Sequence, residues 1–177
     1  MKTRVFGWLI AGCLLAVCPS AMGQSIDSIT LPIIGSQVTD MTVAGVKSDT
    51  SPWIGGGSCT FSSSGDVKCK IKGVIIPDAT GGTTGGVTGV AAGLICNGVL
   101  VGTTSMATLN AGGGAKITGT ITVPSRCGEP IAIIEELEKA GSAVPAGTVF
   151  IAVSAFGDED PSGGAAQQPA TNSPPDR

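Results

Sequence analysis

Three lysines alternate along one stretch of the chain, Val67-Lys68-Cys69-Lys70-Ile71-Lys72, and three threonines along another, Thr118-Gly119-Thr120-Ile121-Thr122. On an extended strand, every second residue lies on one face, about 6.6–7 Å from the next. An anionic polymer can lie along ammonium groups so spaced. Alternating lysines also blunt a sheet edge against pairing with another copy, and an ordinary solvated strand face has this pattern too. Thr-x-Thr-x-Thr is a hydroxyl ladder also found on ice-binding surfaces, but one ladder without a repeat reads as an exposed strand face. Lys68, Lys70, Lys72, Thr118, Thr120 and Thr122 form the interaction surface expected from sequence.

Catalytic chemistry is poorly supplied. The chain has no histidine and no tyrosine, so Ser-His and Cys-His arrangements cannot form. Ser-x-x-Lys does not occur. Glu135, Glu136 and Glu138 crowd one segment, and Asp40, Asp49, Asp66 and Asp78 sit mostly in turn-like contexts, so these carboxylates read as solvated charges rather than an acid–base pair. Cys127-Gly128-Glu129-Pro130 resembles the Cys-Gly-Glu-Gln thioester motif of complement-like proteins, but Pro130 stands where the acyl-donating glutamine is needed. Asp158-Glu159-Asp160 lacks the alternating ligands and the glycine of a calcium loop. The glycine-rich run from Thr80 to Gly102 contains neither G-x-G-x-x-G nor G-x-x-x-x-G-K-[ST], which excludes the usual phosphate cradles. The expectation is a protein that is not an enzyme and carries no cofactor or metal.

The N-terminus reads as an export signal. Lys2 and Arg4 precede the uncharged apolar run 5–17, and Ala21-Met22-Gly23 offers small residues for cleavage, so 1–23 is expected to be removed. The run is shorter than the roughly 20 residues that cross a bilayer. Ile10-Ala11-Gly12-Cys13 resembles a lipobox, but it lies early and is followed by apolar residues. Cleavage leaves eight basic residues against 13 acids, a net charge of −5, with no electrostatic footprint for nucleic acid. Four cysteines remain, Cys59, Cys69, Cys96 and Cys127. An even number in an exported chain predicts two disulfides. With no histidine and no C-x-x-C, zinc is not expected. No membrane span is expected after cleavage, and the protein is placed in the secreted, periplasmic or cell-surface space.

These residues must be positioned by strands. With 28 glycines in 177 residues, about twice the usual share, and abundant Val, Ile and Thr, the chain reads as β structure with many turns. Residues 25–36 read as an extended lead-in, 38–46 as the first strand and 53–61 as the second. Residues 67–75 form the clearest strand, joined to the one before by the turn 62–66. That hairpin sets Phe61 against Val67 and Cys59 against Cys69, which predicts a Cys59–Cys69 disulfide and, by elimination, Cys96–Cys127. Asn97-Gly98 predicts a hairpin pairing Cys96 with Val99 and Leu94 with Val101. Gly89 and Gly93 fall within that strand on the face opposite Leu94 and Cys96, where a neighbour can approach closely. Residues 106–109 continue the hairpin, and 115–123 alternate cleanly. Residues 130–137 read as a strand in preference to a short helix, and 148–156 as a central strand, apolar on both faces.

The expected fold is all-β: a single antiparallel β-sandwich, Ig-like or Greek-key, of about seven or eight strands over 24–156, pinned by disulfides and followed by a disordered Gly/Pro/Gln-rich tail, 157–177. The expected function is an exported envelope or extracellular structural or interaction module, acting through its surface or strand edges on protein partners or in self-assembly. The alternatives are a periplasmic ligand- or ion-binding protein, or an enzyme or inhibitor with an unrecognised site.

Overall fold

A computed structural model describes residues 27–154. The expected signal peptide and tail lie outside the described residues. Twelve strands follow in order: β1 Ser28–Gly35, β2 Thr42–Val43, β3 Val46–Ser48, β4 Ile54–Ser62, β5 Asp66–Ile75, β6 Val87–Cys96, β7 Val99–Thr103, β8 Ala107–Thr108, β9 Ala115–Thr120, β10 Ile131–Lys139, β11 Ser142–Ala143 and β12 Val149–Ser154. No helix occurs among the described residues, and the ambiguous segment near 130–137 is strand β10.

The strands join one sheet along the path β7-β6-β10-β12-β1-β4-β5-β9, with β2, β3, β8 and β11 attached beside it. Every pairing is antiparallel except β3 with β12. The sheet curls into a half-barrel, where the sequence predicts two facing sheets. The difference lies in β1, which reads from sequence as a lead-in. Its Ile33–Gly35 end pairs with β12, and Ser28–Ile34 pairs with β4, so one strand bridges what would be two sheets. Pro32, which has no N–H to donate, lies just outside the β12 ladder.

The concave side holds the main core. Trp53, Phe61, Ile71, Leu94, Ile117, Ile134 and Ile151 are fully buried there, with both disulfides among them. The two ends of the curl meet through side chains without a backbone ladder. A Cβ on Gly119 would stand 3.0 Å from Thr104 Cβ, and one on Gly102 would stand 3.1 Å from Ile121 Cβ. A second cluster, Val43, Val46, Ile95, Ile133, Phe150 and Val153, lies on the convex side. It forms because the expected first strand, 38–46, is instead a turn leading into the short β2–β3 hairpin, which lays Val43 and Val46 over β10 and β12. Coverage on both faces makes β12 central, as its two-sided apolar pattern predicts; it pairs with β10, β1 and β3.

Cys59 faces Cys69 and Phe61 faces Val67 across β4 and β5, and the disulfides are Cys59–Cys69 and Cys96–Cys127. By chain entropy these loops contribute roughly 3 and 4 kcal/mol. Asn97-Gly98 turns the β6–β7 hairpin with φ of 53° and 74°. Cys96 pairs with Val99 as expected, but a bulge then sets Leu94 against Gly102 in place of Val101. Residues 106–109 do not continue β7; β8 pairs separately with the other end of β6. Gly93 lies on the convex side of β6, where a Cβ would meet Glu135 Oε1 at 2.5 Å and Ile133 Cγ1 at 2.9 Å. Glycine in this run therefore admits packed neighbours, not a phosphate. In the loop before β6, the Asp78 carboxyl accepts from Thr80 Oγ1, Thr80 N and Gly82 N. These bonds, the Thr80 hydroxyl foremost, hold it below the ordinary carboxylate range.

Candidate functional site

The convex surface of the sheet has two unlike halves. Over β10 and β12 it is capped by the β2–β3 hairpin. Over β1, β4, β5 and β9 no described element lies across it, and its side chains are mostly polar and exposed. Register fixes the rows. Thr30, Thr60, Lys68 and Thr118 form one, Pro32, Ser58, Lys70 and Lys116 the next, and Ile34, Gly56 and Lys72 the third. Thr30 Oγ1 and Thr60 Oγ1 are hydrogen-bonded at 2.8 Å. Lys68, Lys70, Lys72, Lys116, Thr118 and Thr120 are all exposed.

This placement corrects one role read from sequence. β5 pairs with β4 on one side and β9 on the other. Lys68, Lys70 and Lys72 therefore stand on an interior strand and project from the face, where they cannot guard an edge. The lysine and threonine patterns, separate in sequence, join on one surface: Lys68 is opposite Thr118, and Thr120 is opposite Asp66. Thr122 lies beyond the end of β9 and is exposed.

Sequence reasoning missed Lys116. The alternation Ala115-Lys116-Ile117-Thr118 puts it on the threonine face, but only the register shows that it is directly opposite Lys70. Like charges so placed repel. The ion pairs among the described residues both belong to Lys139, so no described carboxylate pairs with Lys70 or Lys116. A shallow groove of about 510 Å³ opens at this point, lined by the polar side chains of Lys70, Lys72, Thr108, Asn110 and Lys116 together with Ile71, Gly114 and Ala115. Asn110 Oδ1 accepts from Gly112 N and Gly114 N, both at 3.0 Å. That fixes the amide orientation, and Nδ2 donates to no partner among the described residues.

The carboxylates of β10 are the second departure from expectation. Glu135 and Glu136 are not solvated: they are 0% and 3% exposed. Adjacent residues on a strand point to opposite faces. Glu135, on the convex side, accepts from Thr103 Oγ1 at 2.8 Å and Gly147 N at 2.6 Å. Glu136 lies opposite Val90 of the main core. Its Oε2 has no hydrogen-bond partner and is 3.8 Å from Lys139 Nζ. Burial pushes the Glu136 carboxyl above its ordinary value; Lys139 opposes that rise and Asp49 adds to it. Asp49, also buried, is tied by Trp53 Nε1 and Thr50 N, each at 2.8 Å, and its Oδ1 is 3.9 Å from Lys139 Nζ. Asp49 also lines a hollow of about 350 Å³ with Asp40, Lys47 and Ser48. Its oxygens are engaged in holding the Trp53 loop, a structural use. Glu138, half-buried, accepts from Thr88 Oγ1 at 3.0 Å.

No protein-family model matches the chain, and no curated protein or solved structure matches it either. The two disulfides fit an oxidising, extracellular environment. Among the described residues no helix is long and apolar enough to cross a membrane.

Proposed function

We propose that the protein is an exported surface-contact module that works by binding, not turnover, through the uncovered convex face of β1, β4, β5 and β9. The observation that carries this reading is the unequal treatment of one surface: half is capped by the β2–β3 hairpin, and half is crossed by no described element and set with lysines that belong to no ion pair among the described residues. Lysines on an interior strand have no use in edge protection, and a like-charge cross-strand pair lowers stability. A partner that covers the face gives both features a purpose. Glu135 and Asp49 supply internal tethers, to Thr103 and Gly147 and to the Trp53 loop.

A bulky label tests the reading. Ser58, mid-face on β4, is replaced by cysteine and alkylated with a large maleimide; Ser63, in the β4–β5 turn, is treated alike. The reading expects the Ser58 label to abolish retention of the exported protein on the envelope of the producing cell and the Ser63 label to leave it intact. Equal retention of both labelled proteins contradicts it.

A further inference from the structure

We infer that the groove beside Lys70, Lys72 and Lys116 binds an acidic polysaccharide; this rests on the uncovered face being the contact surface. Four of the chain's cations, Lys68, Lys70, Lys72 and Lys116, are concentrated there, although the whole chain carries a net charge of −3. Lys70 and Lys116 oppose each other across the ladder and belong to no ion pair among the described residues. An anion placed between them relieves a repulsion that the free protein must bear. Along β5 the ammonium groups repeat every second residue, about 6.6–7 Å, so an extended polymer with regularly spaced charges can meet several at once.

The surroundings select the polymer. Thr108 and the Asn110 amide line the same groove, and Ser58, Thr60, Thr118 and the Thr30 hydroxyl flank the lysines. These groups suit a ligand rich in hydroxyls as well as charge. A nucleic acid strand calls for aromatic platforms on which bases stack, but Trp53, Phe61 and Phe150 are each 0% exposed. Among the described residues, recognition thus depends on charge and hydroxyl hydrogen bonds, without stacking. Carboxylate and sulfate groups on a sugar chain share the required chemistry.

The probes are polygalacturonate for carboxylate, heparin for sulfate and poly-uridylate as a non-sugar polyanion, each titrated into the full exported protein by calorimetry. At least one polysaccharide should bind more tightly than poly-uridylate. Raising salt from 50 to 200 mM should weaken that binding roughly ten-fold or more, since only a few charges are met. The variant Lys70→Gln/Lys72→Gln/Lys116→Gln should lose at least ten-fold in affinity. Lys47→Gln and Arg126→Gln, which remove cations outside the groove, should change it less than two-fold. Heparin binding without polygalacturonate binding assigns sulfate, and the reverse assigns carboxylate. The inference is overturned if neither polysaccharide binds, if poly-uridylate binds as tightly, or if the triple variant matches the parent while its unfolding transition is intact. If polysaccharides fail but the Ser58 label still abolishes envelope retention, only the ligand class is wrong; if that label has no effect, the contact face itself is wrong.

Discussion

The Glu135 carboxyl accepts the Gly147 backbone N–H at 2.6 Å, and so ties the middle of β10 to the loop that leads into β12. Its other oxygen accepts from Thr103 at the end of β7. One buried side chain thus joins three segments on the convex side of the sheet.

Two donors converge on this one group, and an amide offers only one accepting oxygen. Glu135→Gln should therefore cost about 1–3 kcal/mol, the usual penalty for a buried polar group left without its partner, and Glu135→Ala at least as much. Urea unfolding checks both. A change below about 0.5 kcal/mol in either variant would show that the three segments hold together without the tether.

Glu136 gives the fold a pH dependence. The folded chain raises this carboxyl above 4.5, its ordinary value, chiefly by burial, and so holds the proton more tightly than the unfolded chain does. Stability from this group is therefore greatest below the unfolded value. It falls as pH rises towards the raised folded value and is level above that. Glu136→Gln has no such proton to lose. Melting curves from pH 4 to pH 8 should show the parent losing stability relative to this variant across the lower part of the range. Parallel curves would place the Glu136 carboxyl at its ordinary value.

The longer disulfide should matter more than the shorter. Cys96→Ser/Cys127→Ser should cost about 4 kcal/mol and Cys59→Ser/Cys69→Ser about 3 kcal/mol, compared by denaturant midpoint. The loop Cys96–Cys127 closes is three times as long. A larger loss from the short loop would mean that strain or packing outweighs chain entropy at these sites.

Gly93 tests why this chain carries glycine inside a strand. Its φ is not positive, so alanine is allowed by the backbone, but the added methyl would meet Glu135 Oε1 at 2.5 Å and Ile133 Cγ1 at 2.9 Å. Gly93→Ala should cost about 1–3 kcal/mol by overpacking. A neutral result would show that β6 and β10 can part at no cost.

Much of the local structure was legible. The strict alternation of Val67 to Ile71 and the Asn97-Gly98 turn each act over a few residues, so β5, the β6–β7 hairpin and the Cys59–Cys69 pair follow from spacing alone. The role of β1 was not legible, because 25–36 reads only as an extended lead-in and nothing local records that β12, far along the chain, will pair beside it. Nor was the burial of Glu135 and Glu136. Two adjacent acids look solvated until the partners that satisfy or enclose them, Thr103, Gly147 and Asp49, are brought in from distant segments. The candidate face divides in the same way. Alternation places Lys70 outward on its strand and Lys116 outward on another, but which strands adjoin is a matter of long-range register.

Lys116→Glu tests the central claim in one sample. The account holds that Lys70 and Lys116 are kept in mutual repulsion for the sake of an acidic partner. Reversing one charge should then raise stability by about 0.5 kcal/mol, as opposite charges across a ladder do, while binding of whichever polysaccharide the parent takes, polygalacturonate or heparin, falls at least ten-fold. Urea unfolding and polymer titration are read on the same preparation. A variant that binds as the parent does, or that loses stability as well as binding, would contradict the account.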